Sequence, residues 1–569
     1  MTWHPAQRAV IPLPPLSAQH SAQLTVEPRE IGRYDGTSIQ YRQEEAMSPT
    51  PKHTACINPA TGELLGESPL HTVDELKTAI ASARAAQPAW AALPVKERVR
   101  HIRKIQDAIV TQAEELSEII AKDNGKTVLD AMAAEIMAAA IAVHYYCRKA
   151  PSFLKSKRPG FGSVALVNKR SRVFRVPYGV IGIISPWNYP FSIPFSEAIM
   201  GLLAGNAVIL KVATETQLTG LALKSVIESA GLPDGIFHYL NLPGRVAGEG
   251  FLKNGVDKLF FTGSVPVGKR LMAMAAETLT PVNLELGGND AMLVCEDADP
   301  VRAAAGAVWA GFSNAGQSCG GVERIYVHEA IYDAFMKELK QRTETLRPGN
   351  NLNPDCDLGG MTTAAQVEVV KAHVEDALAH GAKVFARSPE PPEGTVGQFH
   401  PAMVLTNVTP DMKVMRDETF GPVIGVMKVS NMETAVQMAN DSNLGLTGSV
   451  WSKNRKKARK LARQIQAGAV TINDHLMSHG VPETSWGGFK ESGIGRSHGE
   501  LGFNEMTQPQ TIVDDWLPGV KKNLWWHPYS RKVYDGLNGL TVGLYGNGVL
   551  KRLSGILHAL RVLPRMFRK

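Results

Sequence analysis

Between residues 72 and 144 apolar side chains return every three or four positions, through VDELKTAIASARAAQPAWAAL and then KERVRHIRKIQDAIVTQAEELSEIIAKDNGK, which predicts a long helical stretch. Beyond it the pattern changes. Short Val/Ile-rich runs alternate with helical ones: YGVIGIISP, FSEAIMGLLAGN, AVILKV, TQLTGLALKSVIESAG, IFHYL, DKLFFTG and VGKRLMAMAAET. Strand and helix at this spacing predict βαβ units, an α/β fold with largely parallel sheet and helices on both faces. A second series follows Gly287, from AMLVCED and ADPVRAAAGAVWAGFSN through ERIYVH and YDAFMKELKQRTETL to GAVTIND at 468–474. Two α/β domains meeting near Gly287 are therefore expected, with ligands at the carboxyl ends of their strands. The first residues, 1–52, carry Pro, Ser and Gln with little periodicity and read as a poorly ordered arm.

A length of 569 residues agrees with more than one core, and 44% hydrophobic with 20% charged residues is ordinary for a soluble globular chain. No run of about 18 apolar residues escapes interruption by glycine or charge, so a plain membrane-spanning helix is not expected. Prolines near the N-terminus interrupt the apolar core that a signal peptide needs. Five cysteines, at 56, 147, 295, 319 and 356, are odd in number and lack paired spacing. That favours a reducing compartment, the cytoplasm, over a disulfide framework, and no metal site is expected.

The net charge of +7 belongs to one end of the chain. Residues 521–569 hold ten Lys/Arg and a single Asp, a balance of +9, which leaves the rest at −2. No nucleic-acid recognition motif accompanies them. Within that tail, VLKRLSGILHALRVLPRMFRK places Val549, Leu553, Ile556 and Leu560 on one helical face with Leu550 and Leu557 beside them, while Lys551, Arg552, His558 and Arg561 lie elsewhere. A basic amphipathic helix with the Trp525–Trp526 pair nearby suits an anionic membrane surface; it equally suits packing on the rest of the chain or on a neighbouring subunit.

Candidate chemistry centres on NAGQSCGGVER, where Cys319 follows Gly316, Gln317 and Ser318 rather than branched apolar residues. Free backbone N–H groups there would lower a thiol pKa and hold an oxyanion, with the Asn188 amide of ISPWNYP as a second donor. Glu285, in PVNLELGGND, sits in an apolar strand; it is either ion-paired or a carboxylate whose proton affinity is raised by desolvation. In FFTGSVPVG a strand ends in Gly263 and Ser264 before a helix with Pro266 in its first turn, which is a simple cap by itself and a phosphate site if Lys211, closing AVILKV, stands beside it. The usual three-glycine dinucleotide fingerprint is absent.

Together these pieces resemble the aldehyde dehydrogenase superfamily, from about Asn58 to Asp514. The motifs follow in family order: PWNYP (186–190), Lys211 after AVIL, FTGS (261–264), LELGG (284–288), NAGQSC (314–319), ETFGPV (418–423) and GGFKESGIGR (487–496). The resemblance implies two Rossmann-like domains: an NAD(P)-binding domain over 53–155 and 176–286, and a catalytic domain over 287–480. It also implies an oligomerising arm and closing segment over 156–175 and 481–515, followed by the extra tail, 516–569. Homodimers or homotetramers form through that arm, and residues 158–179 alternate as a hairpin would. The implied chemistry is oxidation of an aldehyde: Cys319 attacks the carbonyl, Asn188 and the Cys319 amide hold the oxyanion, hydride passes to the nicotinamide, and Glu285 activates water to hydrolyse the thioester. Glu418 and Phe420 match positions at the nicotinamide ribose and ring; Ile184, Ser185, Pro186, Trp187, Lys211, Gly248, Gly263, Ser264, Val267 and Leu286 match the rest of the cofactor site.

One departure bears on the cofactor. Where the family has a glutamate against the adenosine ribose, Thr214 stands here, with Glu215 one place later and Arg245 in PGRVAGE. Loss of that carboxylate favours NADP, whereas Glu215 swinging into its place would keep NAD. Two rival functions remain, transfer of the acyl group to coenzyme A instead of water and a non-catalytic binding role; Glu285 argues against the first, and Cys319, Glu285 and Asn188 together against the second. A membrane-bound tail would point to medium- or long-chain aldehydes.

Overall fold

The computed structural model describes residues 52–568, so the arm expected at the N-terminus lies, but for Lys52, outside the described residues. The Val/Ile-rich runs form strands buried along their whole length, Val180–Ile184, Ala207–Lys211 and Lys258–Thr262 among them. Strands covered on both faces have no polar side, hence their unbroken apolar texture. In the six-stranded sheet they lie in the order Gly493–Ile494, Val282–Glu285, Lys258–Thr262, Val180–Ile184, Ala207–Lys211, Phe237–Tyr239, with only the first antiparallel. The earliest strand of this sheet sits in the middle and later ones go to either side, which makes a switch point beside Val180–Ile184. Register brings Ile184 level with Lys211 and Phe261, and Thr262 level with Glu285. Residues far apart in sequence thus end at one edge.

The second sheet has seven strands in the order Lys383–Arg387, Met403–Thr406, Val423–Val429, Val322–His328, Asp290–Val294, Thr447–Trp451, Ala469–Ile472. All its pairs are parallel except the first. Gly287 and Gly288 join Val282–Glu285, in the first sheet, to Asp290–Val294, in the second.

The helical stretch resolves into Val73–Ala92, Val95–Thr111 and Ala113–Asn124, followed by a continuous helix over Val128–Phe153 with a π-helical turn at Ala131–Met137. The first opens on a capping box, Thr72 Oγ1 accepting from the Glu75 amide and Glu75 Oε2 from that of Thr72. Helix Val128–Phe153 is, among the described residues, long and apolar enough to cross a membrane. Here it is a core helix: Ala139, Val143, Tyr146 and Ala150 pack into the first core, and its Glu135 is ion-paired.

Two expectations need correction. Residues 158–179 do not fold back on themselves as a hairpin: Lys169–Pro177 pairs along its full length with Thr507–Asp515, and only Lys157 bridges back, to Val173. Alternation specifies a two-sided strand without naming its partner. The segment 481–515, expected in the arm, also feeds the first sheet, where Gly493 pairs with Glu285. The tail holds two helices, Arg531–Tyr545 and Val549–Leu560. Glycines at 536, 539 and 543 hide the first from a periodicity reading.

Candidate active site

The strand ends of the first sheet face the loop that carries Cys319. This loop turns through three consecutive left-handed residues, Asn314 (φ 54°), Ala315 (φ 52°) and Gly316 (φ 71°). Gly316 is required there, since a Cβ would stand 2.1 Å from the Gly421 carbonyl oxygen. The turn spends some of the donors expected near sulfur: the Gln317 and Ser318 amides bond to Asn314 and Gly316 carbonyls at 3.0 and 2.9 Å. That corrects the expectation of a ring of free N–H groups; the Cys319 amide is the one acting on its own sulfur. The thiol is not lowered. Burial pushes it up, as would charge on Glu418, Asp290 and Glu285. Those three carboxyls are themselves pushed well above the usual carboxylate range by burial, so as neutral acids they oppose a thiolate less than their formal charges would.

Asn188 is buried, and its Nδ2 donates to the Gln317 carbonyl at 3.1 Å, which sets the amide against the cysteine loop. An amide nitrogen carries two hydrogens, so a second donor is left for a ligand. The loop bearing Asn188 rests on an ion pair that the sequence did not reveal. Lys126 Nζ, 2.6 Å from Glu135 Oε1, also donates to the Asn188 carbonyl at 2.8 Å, while Glu135 Oε2 accepts from the Phe191 and Ser192 amides at 3.0 and 2.8 Å. Both side chains are fully enclosed. A lone glutamate in AMAAEIMAAAIA was the available signal. Because removal of one partner strands the other charge, Glu135→Gln and Lys126→Met are each expected to lose about 3–5 kcal/mol of stability, measurable by chemical denaturation.

Glu285 has no Lys or Arg within salt-bridge reach among the described residues. Ser497 Oγ donates to its Oε1 at 3.3 Å, and its Oε2 is buried without a partner. Burial and, next, the neighbouring Glu197 hold its proton affinity high, with Arg496 opposing. Glu197 is itself pushed up to about 8 by burial, and its Oε2 also lacks a partner. Glu285, Glu197, Cys319, Ser497 and His498 line a cavity of about 20 Å³. A second cavity, about 150 Å³, meets the first at Cys319, Ile193, His479 and Trp486 and runs out between Ala134, Met137, Ile141, Trp309, Leu476 and Met477. Neither Lys nor Arg lines it, and its His479 is kept neutral by burial, lowered to about 4.

On the opposite side lie the residues assigned to a cofactor. Ile184, Arg245, Gly248 and Val267 line one cavity of about 160 Å³, joined by Arg270, which the sequence reading missed. Close packing around two helices shapes it: a Cβ on Gly248 would meet Leu271 of the next helix at 2.2 Å, and one on Gly268 would meet Leu286, just past strand Val282–Glu285, at 2.7 Å. Gly263 and Ser264 end strand Lys258–Thr262, and Ser264 caps helix Val265–Thr278 without spending its side chain. Lys211 is buried with no salt-bridge partner among the described residues, and desolvation lowers it to about 8 against the pull of Glu215. Thr214 and Glu215 follow it, exposed. Ser185, whose amide bonds to the Lys211 carbonyl at 3.0 Å, and Thr262 each bury a hydroxyl with no partner. Pro186 and Trp187 continue that loop, and the Trp187 ring meets Phe420 edge to face at 5.5 Å. Phe420 holds a left-handed φ of 51° because its amide and that of Thr419 both donate to Glu323 Oε1 at 2.8 Å. Glu418 Oε1 accepts from Gly288 N at 2.9 Å, over a glycine pair that leaves its carboxyl room.

Unspent polar groups, an unpaired ammonium and a free helix N-terminus fit an anionic dinucleotide. The aldehyde dehydrogenase family profile matches residues 46–512. The chain belongs to the aldehyde dehydrogenase family. It is 37% identical over 492 residues to a 4,4'-diapolycopene aldehyde oxidase of Methylomonas, covering 86% of this chain and 91% of that protein. It is 35% identical over 478 residues to a putative succinate-semialdehyde dehydrogenase [NADP(+)] of Mycobacterium ulcerans, covering 82% and 90%. The solved aldehyde dehydrogenase of Brucella melitensis biovar abortus superposes with a TM-score of 0.77 at 33% identity, over 81% of this chain and 94% of that one. The protein is thus an NAD(P)-dependent aldehyde dehydrogenase. The Cys295 thiol and the Glu296 and Asp297 carboxylates lie close together, but Lys457 pairs with Glu296 and Ser452 donates to Asp297.

Proposed function

We propose that this dehydrogenase oxidises apolar aldehydes to carboxylic acids, with Cys319 as nucleophile and Glu285 as the base for water. One observation carries the reading: Cys319 and Glu285 share a cavity of about 20 Å³, room for one water. As a thiolate, Cys319 adds to the aldehyde carbon, and the new oxyanion is taken by the Asn188 amide and the Cys319 N–H. Bound NAD(P) supplies the acceptor for the hydride that leaves this carbon. What remains on sulfur is a thioester. Glu285 takes a proton from the water beside it, the hydroxide adds to the acyl carbon, and the carbon–sulfur bond breaks to give the acid. Aldehyde, water and oxidised cofactor become carboxylate, reduced cofactor and two protons. A cavity this small holds water and not the thiol arm of coenzyme A, which disfavours acyl transfer to that carrier.

The channel selects the substrate class. Succinate semialdehyde ends in a carboxylate, which a channel without Lys or Arg and with Asp130 in its wall does not welcome. The Methylomonas relative is named a 4,4'-diapolycopene aldehyde oxidase, with no second carboxylate in the substrate's name, and the apolar lining agrees with that direction. For the cofactor, Lys211, Ser264, Arg245 and Glu418 would hold the dinucleotide, and Arg245 with Arg270 at an exposed edge suits a 2′-phosphate, so NADP is the preferred form. Subunits associate as a dimer or tetramer through the ribbon of Lys169–Pro177 and Thr507–Asp515, whose outer strand is exposed from Gln508 onward. The enzyme is cytoplasmic, held peripherally at a membrane by its tail.

A panel of alkyl aldehydes tests this reading, with either cofactor, followed by absorbance of the reduced nicotinamide. The expected kcat/KM rises about threefold to fourfold per added methylene until the channel is filled, exceeds that for succinate semialdehyde, and is higher with NADP. Preference for the semialdehyde would overturn the substrate class, and a strong preference for NAD the cofactor assignment.

A further inference from the structure

The two tail helices, Arg531–Tyr545 and Val549–Leu560, meet through a seam of small residues. A Cβ on Gly539 would stand 2.5 Å from His558 Cβ, one on Gly543 2.8 Å from Ile556 Cγ1, and one on Gly555 2.5 Å from the Gly539 carbonyl oxygen. Backbone meets backbone, and Ala559 and Val562 complete the buried side. At about 100° per residue Gly555, Ala559 and Val562 lie about 120° round the helix from the polar Ser554 and Arg561. Apart from Ile556, which borders the seam against Gly543, the large apolar residues occupy neither. Val549, Leu550, Leu553, Ile556, Leu557 and Leu560 form a separate stripe about 120° wide, and Leu550 is 82% exposed, Val549 74% and Leu557 60%. Packing of the tail on itself therefore uses the glycines and leaves the leucines uncovered.

One cation, Arg561, borders that stripe, and others lie elsewhere in the tail. Lys521, Lys522, Lys532, Lys551 and Arg561 have no carboxylate within salt-bridge reach among the described residues, and the tail's single acid, Asp535, is taken by Arg531 at 3.0 Å. Trp525, Trp526 and Tyr529 are also exposed nearby in the chain. The geometry points to a helical hairpin that lies in the face of an anionic lipid bilayer, its leucine stripe in the acyl boundary and its lysines and arginines among the headgroups. A second copy of the same face would set like charge against like charge, whereas anionic lipid neutralises it. The hairpin lies on the membrane and does not cross it: helix Val549–Leu560 has 12 residues, a length of about 18 Å against a hydrocarbon core of about 30 Å.

This inference deepens the membrane location proposed above and rests on the tail alone, not on the chemistry assigned to Cys319. The test is co-sedimentation of the full-length protein with vesicles of phosphatidylcholine and phosphatidylserine, beside vesicles of phosphatidylcholine only. Binding is expected with the anionic vesicles, falling with added salt. Leu550→Glu/Leu553→Glu/Leu557→Glu, all outside the seam, is expected to abolish it while leaving oxidation of a water-soluble aldehyde unchanged. Lys551→Gln and Arg561→Gln are each expected to weaken it roughly fivefold. Failure of the wild-type protein to pellet with anionic vesicles, or undiminished binding by the triple variant, overturns the proposal. So does a drop in subunit number of the triple variant without lipid, which would make the stripe a contact between copies. None of these failures touches the catalytic reading, which the soluble-substrate assay follows separately.

Discussion

Cys319→Ser is expected to lose aldehyde oxidation by on the order of 10⁴-fold or more, with the fold and cofactor affinity retained. A serine hydroxyl in the same place is a far weaker nucleophile, because it ionises far less readily than a thiol. Turnover with a good substrate, checked against unchanged fluorescence quenching by the cofactor, separates lost chemistry from lost binding. Mass spectrometry of the wild-type enzyme trapped during turnover should find the acyl group on Cys319. A serine variant of near wild-type rate, or no adduct on that sulfur, would sink the assignment.

Glu285→Gln should divide the reaction in two. Oxidation on sulfur needs no base for water, so one equivalent of reduced cofactor per subunit is expected in a rapid burst. Hydrolysis then falls by about 10²–10⁴-fold and the thioester accumulates. The pH dependence carries a sign. Glu285 accepts a proton only when ionised, and burial with Glu197 nearby holds its pKa well above the usual carboxylate range. Hydrolysis by the wild-type enzyme should therefore be lost as pH falls through that raised pKa and should rise above it, and the glutamine variant should lack this limb. Glu197→Gln removes the like charge and should move the limb to lower pH. A glutamine variant that keeps steady-state turnover and the limb would show that another group activates water.

The alternation of buried runs and helical periods was enough for an α/β chain of two sheets, because a strand covered on both faces has no polar positions to disguise it. Motifs were enough for the family, and they put Cys319, Glu285 and Asn188 in one reading although they lie far apart in sequence. Partner identity was not legible. Alternation in 158–179 suggested a hairpin, and the partner came instead from 507–515. The site's supports were hidden for the same reason: Glu197, Ser497, His498 and the Lys126–Glu135 pair are ordinary letters until the strand ends converge.

By itself, then, the sequence determined the fold class, the family, the candidates for the reacting groups and an amphipathic stripe at the end of the chain, since each depends on local period or on residue identity in a short motif. Only the tertiary structure decided that the cysteine loop spends amides on itself, that Glu285 lies beside another acid with no salt-bridge partner among the described residues, that the channel is apolar, and that tail helices pack through glycine and leave leucine outside. Burial and charge environment are sums over neighbours from distant segments, and no stretch of chain contains its own surroundings.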